Sequence, residues 1–319
     1  MKVLKFNSQD SIKWDSFCNA SYHCTFLHTR RFISYHKDKF KDHSVIIESD
    51  GKWLGLFPAA EDSVDTASII SHPGITFGGI IHHGALRGQS MVDALILLKD
   101  YYVKNNYEKL IYKKIPYIYH QAPSCDDTYA LFVLKAKLIR CDLSSAIDNN
   151  FRLKTSDRRK RAYKKTTNNG IIIQNNLSLL PKFWNVLEDN LRVKYNKKPV
   201  HSLDEILLIS TLFPDNIKCI CAIHENKIIA GVLLFISSAV FHSQYIASNE
   251  IGHNLSALDA VFEYCIDLSK LHNKRWFDFG ISNENNGLIL NSGLYTYKSE
   301  FGAGGIPHEF YQIDLKGDF

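Results

Sequence analysis

The side chains that could work on a carbonyl or a phosphate cluster in a few short stretches. Asp278 lies in "FDFGISNENNG" (277–287). Asp-Phe-Gly holds magnesium in protein kinases, but the Gly-rich loop, strand lysine and His-Arg-Asp loop of that machinery are absent. Asp278 therefore reads as a strand-end carboxylate that either lines a reaction site or caps the loop after it. Candidate general bases are His242, His201, Asp278 and Glu284. A lone histidine is more often structural than catalytic. His201 opens a helix, from which its ring can reach a cleft. His82, His83 and His36 lack companion carboxylates at ligand spacing, so no metal site is expected.

A second stretch could hold an anion. Asn249-x-x-Gly252-x-Asn254 runs into a helix starting near Ser256. A helix N-terminus presents unpaired amides and a positive dipole end, and a glycine before it lets a diphosphate come close. Asn249, Gly252, His253, Asn254, Leu255 and Ser256 are the candidate cradle; the alternative is an ordinary capped helix. The strongest charge run is "RLKTSDRRKRAYKKTTNNG" (152–170), for which a solvated helical face is the usual outcome. Nucleic-acid binding is disfavoured, because Tyr163 is its only interleaved aromatic. Tyr117, Tyr119 and His120 follow Pro116 in a loop, placed either to stack on a base or sugar or to pack the loop.

Composition agrees with an enzyme of small anionic molecules. The chain has 319 residues, which favours two domains, and is 45% hydrophobic and 22% charged. A net charge of +5 is too mild for a dedicated nucleic-acid binder. Seven cysteines without a C-x-x-C pair read as reduced core thiols. "MKVLKFNSQD" lacks the apolar stretch of a signal peptide, and no run is apolar enough to span a bilayer. A cytoplasmic protein is expected, with no membrane insertion.

The elements that must position these residues are legible by period. "HSVIIES" (43–49) and "KWLGLFP" (52–58) read as a hairpin about Asp50-Gly51. "SMVDALILLKDYYVKNN" (90–106) reads as a helix capped by Ser90 with Asp93, its apolar face carrying Met91, Leu95, Leu98 and Tyr102. "KLIYK" (109–113) is a short strand. Later come helices over 177–195 and 201–214, the second with Ser202-x-x-Glu205 as a capping box. Three strands follow, the last being "AVFHSQYIAS" (239–248), on which alternation sets His242, Gln244 and Ile246 against Ser243, Tyr245 and Ala247. A helix over 256–272, capped by Ser256 with Asp259, feeds the strand "RWFDF" (275–279), and "EFYQIDL" (309–315) is the last strand.

Two helices, a strand meander, a capped helix and a further strand resemble the GNAT acyltransferase fold. "DFG" followed by "GLYTYKSEFGAG" (293–304) resembles its tandem branch, which includes Fem-type peptidoglycan aminoacyltransferases and nucleotide-sugar N-acyltransferases. "KIPYIYHQAP" (114–123) and "KKPVHSLDEILLISTLFP" (197–214) are similar to the sugar group. The resemblance implies an α/β fold of two GNAT-like domains, 1–145 on the acceptor side and 146–319 binding acyl-CoA. Each would be a twisted, mixed, mainly antiparallel sheet flanked by helices.

The resemblance also implies roles. Acyl-CoA, acetyl or short hydroxyacyl, would set its pyrophosphate at Asn249–Ser256 and its pantetheine arm between the strands bearing Tyr245 and Asp278. Asn249-x-x-Gly252-x-Asn254 departs from the family's Gln/Arg-x-x-Gly-x-Gly/Ala. His242, on the strand beside the thioester, is the slightly favoured base. Lys298 matches the lysine of the Fem-type F-K-x-x-F-G pattern, Tyr297 replacing the first Phe, and would steady developing negative charge. Arg158 and Arg161 would hold the substrate diphosphate, and Asn291 the sugar hydroxyls. The expected acceptor is a nucleotide-linked amino-deoxyhexose, dTDP-3-amino-3,6-dideoxyhexose in particular, for surface polysaccharide or O-antigen of lipopolysaccharide. Fem-type transfer from aminoacyl-tRNA is the alternative, disfavoured by the lack of a heptad-rich helical hairpin; a non-catalytic binding module is the third reading. Monomer and homodimer both stay open.

Overall fold

The computed structural model describes residues 1–316. The chain divides into two compact units. Unit 1 holds Met1–Asp142, Asn285–Ile289 and the segment from Pro307 onward; unit 2 holds Leu143–Glu284 and Leu290–Ile306. The last strand thus belongs largely to unit 1, whereas the sequence reading assigned everything after residue 145 to the second domain.

Unit 1 contains β1 (Lys2–Lys5), α1 (Ser11–Ala20), α2 (Arg30–Ile33), β2 (Val45–Ser49), β3 (Lys52–Phe57), β4 (Ala60–Glu61), β5 (Ser68–Ile70), α3 (Gln89–Lys104), β6 (Lys109–Lys113) and α4 (Asp126–Val133). β7 (Lys137–Asp148) then leads into unit 2. β2 and β3 pair through Asp50 and Gly51, at φ 52° and 77°, the left-handed pair that a two-residue hairpin turn needs. Met91, Leu95, Leu98 and Tyr102 are all buried, as the helical period requires, against Val45, Phe57, Leu110 and Tyr112. The start of α3 differs from expectation: Gly88 occupies the N-cap, and Asp93 accepts from the Gln89 side chain instead of completing a box with Ser90.

Unit 2 continues with α5 (Asp157–Asn168), β8 (Ile172–Asn175), α6 (Leu180–Tyr195), α7 (Leu203–Leu212), β9 (Ile217–His224), β10 (Lys227–Ile236), β11 (Val240–Ser248), α8 (Glu250–Asn254), α9 (Ala257–Leu271), β12 (Trp276–Ile281), β13 (Asn283–Glu284), β14 (Ile289–Leu290, which straddles the units), α10 (Ser292–Ser299) and the start of β15 (Gly304–Asp314). Its strands run in the order β7-β12-β11-β10-β9-β8, antiparallel except for the β11–β12 pair. α9 covers one face, setting Val261, Phe262, Cys265 and Ile266 against Ile220, Val232, Leu234, Phe241 and Phe277. On the other face α6 presses Phe183 onto Gly231, where an added Cβ would stand 2.6 Å from the ring. The Ser202–Glu205 capping box of α7 is present. The expected Ser256 cap is not: Ser256 is left-handed at φ 58° and makes no side-chain cap bond, and Asp259 binds Arg159 instead.

One irregularity decides what the site contains. Leu234 pairs with Ser243, but Leu233 pairs with Tyr245, so Gln244 is an extra residue in β11. A bulge of this kind shifts the side-chain phase by one. His242, opposite Phe235, and Tyr245, opposite Leu233, therefore share the face away from α9. The unbroken alternation expected from sequence put them on opposite faces.

Candidate active site

β11 and β12 pair in parallel only from Val240↔Trp276 to His242↔Asp278, although both strands run further. The last matched pair is a histidine and a carboxylate. His242 Nδ1 donates to Asp278 Oδ2 at 2.9 Å. Asp278 is fully buried, and its other oxygen accepts from Ser144 Oγ and from the Gly280 amide at 2.9 Å. A buried carboxylate is tolerable only when hydrogen-bonded and paired, and three donors meet that demand. Holding Nδ1–H toward Asp278 leaves Nε2 of His242 to carry the lone pair, on a ring that stays partly exposed. The pair can thus accept a proton beside the gap where the strands part.

Lys298, on α10, supports this corner from behind. Its Nζ donates to the carbonyls of Gly280 and Ile281 at 2.8 and 2.6 Å, in the strand exit after Asp278. Burial pulls its pKa down to about 8, partly countered by the charge of Asp278. Gly280 takes φ 80°, a left-handed turn that directs the chain out of the strand. Lys298 thus clamps backbone next to the carboxylate.

On the same face Tyr245 meets His201. The His201 amide donates to the Tyr245 oxygen at 3.2 Å, and the phenol lies 2.6 Å from His201 Nδ1. Burial pushes the Tyr245 pKa up to about 12. Trp184 packs edge-on against Tyr245 with ring centroids 5.1 Å apart. The structure thereby joins a residue expected to bind cofactor and one expected to act as base.

The stretch expected to cradle a pyrophosphate is built differently. Residues 250–254 wind into one helical turn whose N-cap, Asn249, accepts from Gly252 N at 2.9 Å. The amides of His253, Leu255 and Ser256 bond to Asn249, Ile251 and His253 carbonyls. Gly252 sits where a Cβ would meet the Ile229 carbonyl at 2.3 Å, so its glycine serves close packing on β10. Lys165 Nζ covers the Asn254 carbonyl. These three amides are engaged within the turn. Nearby, Lys194 Nζ stands 2.9 Å from His253 Nε2, and burial together with the Lys194 charge pulls the His253 pKa down.

The remaining candidates fall elsewhere. Arg158 is exposed and pairs with Glu300, next to α10, while Arg161 is exposed on α5. Asn291 is the N-cap of α10: its oxygen accepts from Leu294 N and its amide donates to Glu284. Tyr117, Tyr119 and His120 belong to unit 1. Tyr117 is exposed, whereas Tyr119 packs on Phe77 at 4.4 Å and His120 lies 5.5 Å from His23. Ser144 and Trp184 were missed by the sequence reading. Their only signal was a polar residue in the strand "LSSAID" and an aromatic on the apolar stripe of α6.

Among the described residues no group of three or more His, Cys, Asp or Glu side chains is arranged to hold a metal. No helix among them is long and apolar enough to cross a membrane. All seven cysteines are unbridged; Cys18, Cys24, Cys219, Cys221 and Cys265 are buried, and Cys125 and Cys141 exposed.

No family model and no curated protein matches the sequence. Solved structures do match over the whole chain. FemX aligns over 98% of this chain and 97% of its own, with a TM-score of 0.69 at 10% identity. L-PGS from Bacillus licheniformis aligns over 97% and 93%, with a TM-score of 0.65 at 12% identity. A tandem GNAT protein from the clavulanic acid biosynthesis pathway aligns over 100% and 99%, with a TM-score of 0.54 at 8% identity. At such identities the likeness is one of architecture: this chain has an α/β fold of two GNAT-like domains.

Proposed function

We propose that unit 2 transfers an acyl group from acyl-CoA to the primary amine of a nucleotide-linked amino-deoxyhexose, with dTDP-3-amino-3,6-dideoxyhexose the favoured acceptor. The observation that carries the transfer chemistry is the His242–Asp278 pair at the point where β11 and β12 part. The thioester supplies an activated acyl group. His242 Nε2 takes the proton that the attacking amine must lose, and Asp278 holds the ring and balances the imidazolium. Backbone amides of β11 beyond His242, no longer paired to β12, offer donors to the oxyanion. The proton then returns to the departing thiolate, which leaves an amide and free CoA.

The strand gap suits a narrow pantetheine arm, and Lys194 supplies positive charge close to α8. The sugar acceptor rests on the sequence resemblance. A Fem-type reading, with aminoacyl-tRNA as donor, draws support from the likeness to FemX over nearly the full length of both chains. The two separate in one experiment: thiol release from acetyl-CoA with dTDP- and UDP-linked amino sugars, run beside transfer from aminoacyl-tRNA to a peptidoglycan precursor. CoA release with one nucleotide sugar supports the first reading. Transfer only from aminoacyl-tRNA overturns it, and CoA binding without turnover on any acceptor returns the binding-module reading.

A further inference from the structure

The register of β12 against β7 slips beside Asp278. Asp278 stands opposite Ala146 and Ile281 opposite Ser144, so Phe279 and Gly280 together face Ser145 alone. A two-against-one bulge of this kind bends the strand and re-aims the groups around it. Gly280 takes the left-handed φ of 80° that the bend needs, and its amide turns back onto Asp278 Oδ1 at 2.9 Å. Lys298 braces the bend through the Gly280 and Ile281 carbonyls. Ser144, two residues along β7 from Ala146, shares the face of Asp278, and its Oγ donates to the same Oδ1.

The two oxygens of Asp278 thus have separate tasks. Oδ1 accepts from Ser144 and Gly280, and Oδ2 accepts from His242 Nδ1. The Gly280 amide lies two residues along the same strand, whereas the Ser144 hydroxyl ties the carboxylate to the neighbouring one. Ser144 and Asp278 are both fully buried, so bulk water does not compete for these oxygens. A carboxylate free to turn about its last torsion would not keep one oxygen on the imidazole. A neutral imidazole whose Nδ1–H has lost its acceptor can carry the proton on Nε2 instead, the nitrogen that must stay bare to receive one.

We infer that Ser144 is a positioning residue: by pinning Oδ1 from β7 it keeps Oδ2 on His242 and holds the ring in the tautomer that leaves Nε2 free for the amine's proton. This role rests on His242 being the proton acceptor of the proposed transfer. Ser145 supplies an internal comparison. It is just as buried, points to the opposite face of β7, and its Oγ has no hydrogen-bond partner among the described residues.

The test is proton–nitrogen correlation NMR of the full chain labelled at histidine, without substrate, run beside thiol-release kinetics. The His242 signal is assigned by its loss in His242→Ala. With the ring neutral, the wild type is expected to show the Nδ1–H form alone. Ser144→Ala should add the Nε2–H form and lower kcat about tenfold at unchanged KM, the worth of one hydrogen bond to a charged group. Ser144→Cys, which keeps a weak donor, should fall between, and Ser145→Ala should match the wild type in both readouts. A wild type already in the Nε2–H form overturns the inference, whether or not any variant folds. So does a Ser144→Ala protein that melts lower yet keeps the wild-type tautomer, because Ser144 would then serve stability alone. The expected tautomers without thiol release on any acceptor would overturn the acyl-transfer reading and uphold the hold of Ser144 on the ring.

Discussion

Each unit holds a histidine in side-chain hydrogen bonds, a hydroxyl in unit 1 and a carboxylate in unit 2. In unit 1, Ser124 Oγ lies 3.3 Å from His23 Nδ1 and 3.2 Å from His82 Nε2, while His23 Nε2 reaches the Ile80 carbonyl. The carboxylate oxygens facing His242 have no counterpart in these contacts. Burial pulls His23 down to about 3 and His82 to about 4, so both rings are neutral packing and hydrogen-bonding groups. In unit 2 the fully buried Asp278 holds one nitrogen of a partly exposed ring. A histidine becomes a plausible base through its partner and its access, more than through its presence. The buried lysines make a parallel pair: Lys113 caps the His72 and Ile75 carbonyls in unit 1, as Lys298 caps Gly280 and Ile281 in unit 2.

The strongest way to break this contrast is to delete both kinds of histidine. His242→Ala should lower thiol release by about a hundredfold or more, the usual worth of a positioned base, with little change in melting. His82→Ala should leave turnover intact and cost about 1–3 kcal/mol of stability by orphaning its partners. Equal turnover losses would erase the distinction. Asp278→Ala should do both kinds of damage, losing activity and about 3 kcal/mol of stability in urea melts, because Ser144, Gly280 and His242 all lose their acceptor.

The lysines sharpen the comparison by pH. Lys298 stands at about 8 and Lys113 at about 7 when folded, both below the ordinary 10.5. Between those values and 10.5 the unfolded chain keeps a proton that the folded chain has released. Each lysine therefore makes unfolding free energy rise with pH across its window, by at most about 1.4 kcal/mol per pH unit. Lys298→Met and Lys113→Met should each flatten that rise in denaturant titrations, and Lys113→Met should do so from a lower pH. Unchanged slopes would mean the amines stay charged when buried. The smallest effect belongs to Tyr245→Phe: loss of the His201 contact should cost about 1 kcal/mol, read as a shift in denaturation midpoint.

Sequence periodicity located the hairpin at Asp50-Gly51, the buried face of α3, the box at Ser202 and the strand carrying Asp278. These depend on neighbours within a turn or two, which a linear reading contains. The bulge at Gln244 was invisible, because it exists only as a mismatch of register between β11 and β10. Ser144 was invisible for the same reason, lying 134 residues from the carboxylate it serves. Asn249-x-x-Gly252-x-Asn254 shows a different limit. Its glycine answers to the Ile229 carbonyl beneath it, a constraint that reads in sequence just like a ligand-binding one.

The return of the C-terminal strand to unit 1 bears on how the chain is made. Phe310–Asp314 pair with Lys109–Lys113, across about two hundred residues. On the ribosome, β6 waits with one edge open while every strand of unit 2 is synthesised. Unit 1 begins first and is completed last. A nascent chain stalled before Pro307 would carry a finished unit 2 and an unfinished unit 1, a period during which a chaperone would find its binding site.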